Sequence, residues 1–142
     1  MEEELKLDKQ LCFPLYVASK EVIKKYRPLL EGLDLTYTQY ITMMVLWEKK
    51  ELNVKTLGNI LLLDSGTLTP LLRKLETKGY INRIRNEEDE RNLVITITEK
   101  GEELKGQVKG IPTEVSKCIN LTHDEAYTLY RLLYKVIMGL EE

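Results

Sequence analysis

Residues 61–98 read LLLDSGTLTPLLRKLETKGYINRIRNEEDERNLVITIT, and the fold turns on this stretch. Asp64 and Ser65 are residues that cap helix N-termini well, and Pro70 is tolerable within the first turn or so of the helix they open. Leu68, Leu71, Leu72 and Leu75 then recur at three- and four-residue spacing and make one apolar stripe. Thr67, Thr69, Arg73, Lys74 and Lys78 fall mostly outside it. Gly79, free to take positive φ, stands where that helix should end. Two alternating runs follow, Tyr80 to Arg85 and Leu93 to Thr98, joined by a loop too charged to be buried. In the second run Leu93, Ile95 and Ile97 share one face, with Val94, Thr96 and Thr98 on the other. The stretch is a capped helix followed by a two-stranded β-ribbon with a charged tip.

Such a unit has two readings. A helix presenting hydroxyls and cations fits a DNA major groove, and an arginine at a ribbon tip reaches the minor groove. Alternatively, helix and hairpin merely complete a core.

Bulk properties narrow the field. A chain of 142 residues is one domain with length enough for a genuine core. With 43% hydrophobic and 31% charged residues it is expected to be folded rather than disordered. The N-terminus, MEEELKLDKQ, has no signal-peptide h-region and no apolar run approaches a membrane span, so a soluble cytoplasmic protein without a membrane partner is expected. The formal net charge of −2 is awkward for a DNA binder, which needs local positive potential. Arg73, Lys74, Lys78, Arg83, Arg85 and Arg91 supply it locally, while the acids of the segment gather in Glu87-Glu88-Asp89-Glu90. Modest affinity and marked salt sensitivity should follow.

Around this unit the chain is mainly helical. Leu7, Leu11, Leu15, Ala18, Val22 and Ile23 set the period of a first helix running to about Tyr26, with Pro14 placing its start near Cys12 or kinking it. Arg27-Pro28 and Gly32 break the pattern. Thr36 and Gln39 have capping-box spacing for a second helix through Trp47 that buries Ile41, Met44 and Val45. Asn53 caps a short third helix holding Leu57, Ile60 and Leu61, which with the Ser65 helix forms a helix-turn-helix. Thr98 opens a fifth helix, disturbed later by Gly110 and Pro112. Thr122 and Glu125 form a second capping box, opening a last helix with Ala126, Leu129, Leu133, Val136, Ile137 and Leu140 inside. The order ααααββαα gives a mainly α fold with a small β-wing. It is a winged helix-turn-helix over about 34–98, with additional terminal helices over about 1–33 and 99–142. Those end helices carry more apolar surface than a small winged core covers. They either pack on a second copy, giving a homodimer that reads a palindromic operator, or fold back on their own domain.

The residues become specific at Leu63-Asp64-Ser65-Gly66-Thr67-Leu68-Thr69-Pro70-Leu71-Leu72, Leu75-Glu76, Gly79-Tyr80-Ile81 and Asp89-Glu90-Arg91-Asn92. These resemble the MarR family of winged-helix regulators. Gln10-Leu11-Cys12-Phe13, residues 24–30 (KKYRPLL) and residues 35–40 (LTYTQY) extend the resemblance to its thiol-based organic-hydroperoxide sensors, the OhrR group. It covers nearly the whole chain and weakens after about Gly101. The resemblance implies that double-stranded DNA is the partner and an organic hydroperoxide the oxidant. It implies that Ser65, Gly66, Thr67, Thr69, Pro70 and Arg73 lie at or near the major groove. Arg91, held by Asp89, would enter the minor groove, while Arg83 and Arg85 touch phosphates. Cys12 would be the sensing thiol, hydrogen-bonded by Tyr26 and Tyr37 of the other subunit, with Tyr16 nearby.

That chemistry is consistent with the residues themselves. A thiol reacts with peroxide as the thiolate, which donors, a cation or a helix N-terminus stabilise. Two phenols supply donors, and the apolar Leu11, Phe13 and Leu15 suit a lipid-like hydroperoxide. Without the resemblance, a lone cysteine on an apolar face is ordinarily an inert core residue. Tyr40 reads as core. Cys118 is either a resolving cysteine that traps the sulfenic acid as an inter-subunit disulfide, or a bystander to capping by a small thiol. One histidine (His123, at a helix start) and two distant cysteines make no metal site by spacing, and no cofactor is expected. No P-loop, dinucleotide fingerprint or nucleophile elbow marks an enzyme. Two other readings remain: a regulator answering to a small phenolic ligand, and a thiol peroxidase using Cys12 and Cys118.

Overall fold

The computed structural model describes residues 2–85 and 93–141. Two short 3₁₀ turns, Glu3–Leu5 and Leu7–Lys9, lead into α1 (Cys12–Glu31). Then come α2 (Tyr37–Lys49), β1 (Glu51–Asn53), α3 (Val54–Leu61), α4 (Ser65–Thr77), β2 (Ile81–Arg85), β3 (Leu93–Ile97), α5 (Glu99–Val108), α6 (Ile111–Ser116) and α7 (His123–Leu140). The expected mainly α winged helix-turn-helix is present, with α3, a turn and α4 as its core and β2–β3 as its wing.

The local signals act where the sequence placed them. Thr36 and Gln39 close a full capping box on α2, and Thr122 and Glu125 close one on α7. Asn53, Asp64 and Thr98 each accept a backbone N–H in the first turn of the helix that follows. Each such cap satisfies a donor that the helix itself cannot pair.

Several expectations need correction. The wing is a three-stranded antiparallel sheet in the order β1-β3-β2, because Glu51–Asn53 pairs with 94–96. Three residues are too few to show alternation, so only the pairing reveals that strand. The first helix passes Pro28 and ends at Glu31 rather than at Tyr26, since Leu30, 1% exposed, anchors its last turn in the core. Pro70 lies beyond the first turn of α4, so the carbonyl of Gly66 loses its helical partner on an exposed face, and the Thr69 hydroxyl donates to the Ser65 carbonyl at 2.8 Å. The helix after Thr98 is two helices, α5 and α6, broken at Gly110 with Pro112 in the first turn of the second.

The buried face of α2 also differs from the expected one. Tyr40, Met43, Leu46 and Trp47 point inward with Gln39 and Thr42, whereas Met44 is 43% exposed. Thr42 can occupy the interior because its hydroxyl donates to the Thr38 carbonyl at 2.7 Å, leaving no unmet polar group. The core gathers these residues with Leu57 of α3, Leu68, Leu71, Leu72 and Leu75 of α4, Ile81 and Ile95 of the sheet, and Leu104, Val108, Ile111 and Val115 of α5 and α6. Helix α7 contributes no fully buried residue: of the six apolar residues expected inside it, Leu133 and Ile137 are half-buried and Ala126, Leu129, Val136 and Leu140 are exposed within one chain. No helix among the described residues is long and apolar enough to cross a membrane.

One close approach joins the two parts of this core. The Trp47 indole N–H donates to the Gly101 carbonyl at 2.8 Å in a buried bond. A Cβ on Gly101 would lie 2.3 Å from the Tyr80 carbonyl oxygen and 2.8 Å from an Ile97 side-chain carbon, so α5 rests on the wing base only because that atom is missing. Gly101→Ala is expected to lower stability by about 1–3 kcal/mol through overpacking. Trp47→Phe should lose about 0.5–1.5 kcal/mol by removing this buried hydrogen bond, the Gly101 carbonyl keeping its partner within α5. Urea unfolding of both variants measures these losses.

Candidate DNA-reading face and thiol site

Helix α4 separates its residues cleanly. Leu68, Leu71, Leu72 and Leu75 are buried, while Ser65, Gly66, Thr67, Thr69, Pro70, Arg73 and Lys74 are exposed. Its start is fixed by the Asp64 carboxylate, which accepts the Thr67 N–H at 2.8 Å. That bond, more than any other contact, holds the Asp64 carboxyl below the usual carboxylate range. The preceding turn is tight. Leu62 takes a left-handed conformation at φ 57°, and the Leu63 N–H returns to the Gly58 carbonyl at 3.0 Å. A Cβ on Gly58 would stand 2.9 Å from the Leu63 carbonyl oxygen and 3.1 Å from a Leu68 methyl, so this glycine sets how closely α3 approaches α4.

Two of the six cations expected to face DNA are engaged inside the fold. The Arg83 guanidinium sits on the Glu76 carboxylate, with Nε 3.0 Å and Nη2 2.9 Å from Oε1, and the Arg83 backbone N–H donates to Oε2 at 3.2 Å. This pair braces the wing against α4, a role that the sequence pattern did not reveal. Lys78 turns back from α4 to Asp34 and Gln39. Arg73 and Arg85 are exposed and line a cleft of about 140 Å³ with Glu76, Arg83 and Leu93. Asp89 and Arg91 lie outside the described residues.

The thiol and phenols fall into two separate places. Cys12 is the first residue of α1 and exposed, with Tyr16 one turn along, 60% exposed, and Lys20 Nζ 5.3 Å from the Tyr16 ring centre. Tyr26 and Tyr37 form an edge-to-face pair with ring centres 4.7 Å apart, and the buried Tyr40 stands 5.8 Å from Tyr26 and 6.2 Å from Tyr37. Burial pushes the Tyr26 hydroxyl above the usual phenol range; burial first and the neighbouring Tyr26 second do the same to Tyr37. Both phenols therefore stay protonated and able to donate. Cys12 and Tyr26 both lie on α1, and at ~1.5 Å rise per residue they are about 21 Å apart, so they cannot meet within one chain. The tyrosine pair opens on a groove of about 890 Å³ between α1, α2 and the end of α4, with Arg27, Lys74 and Lys78 also in its wall. Cys118 is exposed just beyond α6, its sulfur 3.9 Å from the Glu114 carbonyl oxygen.

The Arg83–Glu76 pair has a pH signature. Its hydrogen bonds, the Arg83 side chain first, hold the Glu76 carboxyl below its ordinary value in the folded state. A depressed carboxyl contributes stability above its unfolded pKa of about 4.3, and that contribution disappears as pH falls through the lower folded value. Since Glu76 is 37% exposed, solvent screening limits the pair to a few tenths of a kcal/mol up to about 1 kcal/mol. The stability difference between wild type and Glu76→Gln should therefore be present at pH 7 and shrink below about pH 4 in acid titrations followed by urea unfolding.

Residues 24–108 match the family model described as transcriptional regulator SarA/Rot. The HTH-type transcriptional regulator SarZ of Staphylococcus haemolyticus is 50% identical over 131 residues, 92% of this chain and 89% of that protein. The organic hydroperoxide resistance transcriptional regulator of Bacillus subtilis is 42% identical over 140 residues, 99% of this chain and 95% of that one. Among solved structures, reduced AbfR bound to DNA superimposes with a TM-score of 0.82 at 33% identity, covering 99% of this chain and 100% of the other. AbfR, a Staphylococcus epidermidis protein, has also been solved overoxidised on DNA and in a disulfide form. With the winged fold and reading helix described above, these matches make the chain a DNA-binding regulator of the MarR type and a member of the SarA/Rot family of transcriptional regulators.

Proposed function

We propose that the chain is a homodimeric regulator that releases its operator when an organic hydroperoxide oxidises Cys12. The observation that carries this reading is the separation of thiol from phenols. Cys12 is exposed at the start of α1, while Tyr26 and Tyr37, kept protonated by burial, sit far along the same helix. A second copy packed along α1 and α7 brings one chain's thiol to the other's tyrosines. It also covers apolar residues that one chain leaves in water: Leu11 at 82%, Met138 at 69% and Leu140 at 77% exposure. The hydroperoxide resistance regulator and the redox forms of AbfR support the same chemistry.

The reaction is a two-electron oxidation. The Cys12 thiolate attacks the distal peroxide oxygen, the O–O bond breaks, and an alcohol leaves once its alkoxide is protonated. The sulfenic acid then condenses with a second thiol, Cys118 of the other copy or a small thiol, losing water and forming a disulfide. Thiolate-bound phenol donors contribute about 1.5–3 kcal/mol each, so losing two is enough to shift a balanced dimer.

On the DNA side, Ser65, Gly66, Thr67, Thr69, Pro70 and Arg73 are assigned to the major groove, Arg85 to phosphate, and Arg91 with Asp89 to the minor groove. Two-fold related reading helices would sit about 34 Å apart, one DNA turn. Arg73→Ala and Arg91→Ala should each weaken operator binding by about 1–3 kcal/mol, whereas Arg85→Ala should weaken all sequences alike and lower the salt slope by about one.

A second reading, a regulator answering to a small phenolic compound, is favoured by the 890 Å³ groove beside Tyr26 and Tyr37. The deciding experiment is a gel shift on DNA upstream of the chain's own gene, with and without cumene hydroperoxide. Cys12→Ser should bind as wild type and ignore the peroxide; Tyr37→Phe should bind yet oxidise more slowly. Release of the Cys12→Ser protein by peroxide would overturn the redox reading in favour of the ligand. Cys118→Ser should abolish a reducible dimer on a non-reducing gel if Cys118 resolves the sulfenic acid.

A further inference from the structure

We propose that Lys78 is the positioning residue that couples the tyrosine cluster to the reading helix. This rests on the hydroperoxide-sensing reading above, in which the surroundings of Tyr37 change when Cys12 is oxidised.

Lys78 stands immediately after α4, yet its side chain is only 23% exposed because it reaches across to other elements. Its ammonium donates to the Asp34 carbonyl and, at 3.2 Å, to Gln39 Oε1, and it lies 3.6 Å from the Asp34 carboxylate. Both acceptors, and the Asp34 carboxylate, belong to the joint between α1 and α2. Gln39 is 3% exposed, and its Oε1 also accepts the Thr36 N–H at 3.1 Å, closing the capping box that encloses Tyr37. Both lone pairs of that amide oxygen are therefore committed, one to the cap and one to Lys78. Asp34 itself takes φ 53°, a left-handed turn conformation that aspartate adopts more readily than most non-glycine residues. On the other side, Lys100 Nζ of α5 donates to the Lys78 carbonyl at 2.8 Å.

The C-terminal end of α4 is thus pinned from two directions, to the first turn of α2 and to α5. Two charge-assisted bonds, one of them to the buried Gln39 amide, resist stretching more than a single solvated contact does. Any shift of the first turn of α2 must either break them or carry the end of α4 with it. Helix α4 has 13 residues and is about 20 Å long, so moving its pinned end tilts the opposite end, where Ser65 to Thr69 lie. Because coupling is reciprocal, DNA that fixes α4 must also steady the first turn of α2.

Hydrogen exchange on the full chain, with and without duplex from upstream of its own gene, tests this directly. In wild type, DNA should slow exchange over residues 35–43 by about fivefold or more. In Lys78→Met, DNA should still protect residues 65–77 but no longer protect 35–43, and Lys78→Arg, which keeps the donors, should restore the effect. If Lys78→Met fails to fold in a thermal melt, Lys78→Gln takes its place, its shorter stem also being unable to span the gap. Equal protection of 35–43 in wild type and the lysine variant, or none in wild type, overturns the coupling. Treated with cumene hydroperoxide, Lys78→Met should oxidise Cys12 as fast as wild type yet keep DNA affinity within about threefold, where wild type loses about tenfold or more. A wild-type protein that oxidises without releasing DNA sinks the hydroperoxide reading, while the exchange comparison still decides the coupling.

Discussion

The buried bond from the Trp47 indole to the Gly101 carbonyl is the constraint on which the arrangement depends. It is possible only because Gly101 has no side chain, which lets the first turn of α5 settle against the Tyr80 carbonyl and Ile97. Helix α2, distant in sequence, meets the wing base and α5 at this one point. The Thr98 hydroxyl reinforces it twice, donating to the Gly79 carbonyl at 2.6 Å and accepting the Gly101 N–H at 3.0 Å. The reading unit is thereby fastened to the helices that lead away from it, so a change of angle in α5 is felt by the wing.

Much of this could be read from the residues, and what could not has physical causes. Caps were legible because Ser, Thr, Asn and Asp at helix starts act locally, as Thr36, Asn53, Thr98 and Thr122 do. The stripe of α4 was legible because all four of its leucines are buried. The face of α2 was not, since an apolar count overlooks a threonine that bonds its own helix and overvalues Met44. The turn of the helix-turn-helix carries no glycine at its left-handed position, where Leu62 stands, so local chemistry gave no sign of it. Strand β1 exists through its pairing with β3, a long-range fact.

The candidate sites divide in the same way. Exposure of Thr67, Thr69 and Arg73 followed from helical periodicity alone. The fates of Arg83 and Lys78 did not, because each depends on an acceptor brought by tertiary packing: Glu76 across the wing, and Asp34 with Gln39 across the α1–α2 joint. The motif that resembles the thiol-based sensors named Cys12, Tyr26 and Tyr37 together and implied that the tyrosines come from the other subunit; the length of α1 supplies the physical reason, since one chain holds them apart.

That separation also bears on the charge problem posed by a net charge of −2. With Arg83 spent on Glu76 and Lys78 on Asp34, fewer cations per chain remain directed outward than the sequence count implied. At roughly 0.9 of salt slope per phosphate neutralised, a face with few phosphate contacts binds weakly when alone and with a shallower salt dependence per protomer than the marked one expected from the sequence. Two such faces held at fixed spacing bind as one, since the second engagement is intramolecular once the first is made. A small change in spacing then forfeits the second engagement without touching any residue that contacts DNA. Under the proposed redox function, weak reading heads on a fixed frame would make a better switch than strong ones, because release would require only a shift of the frame.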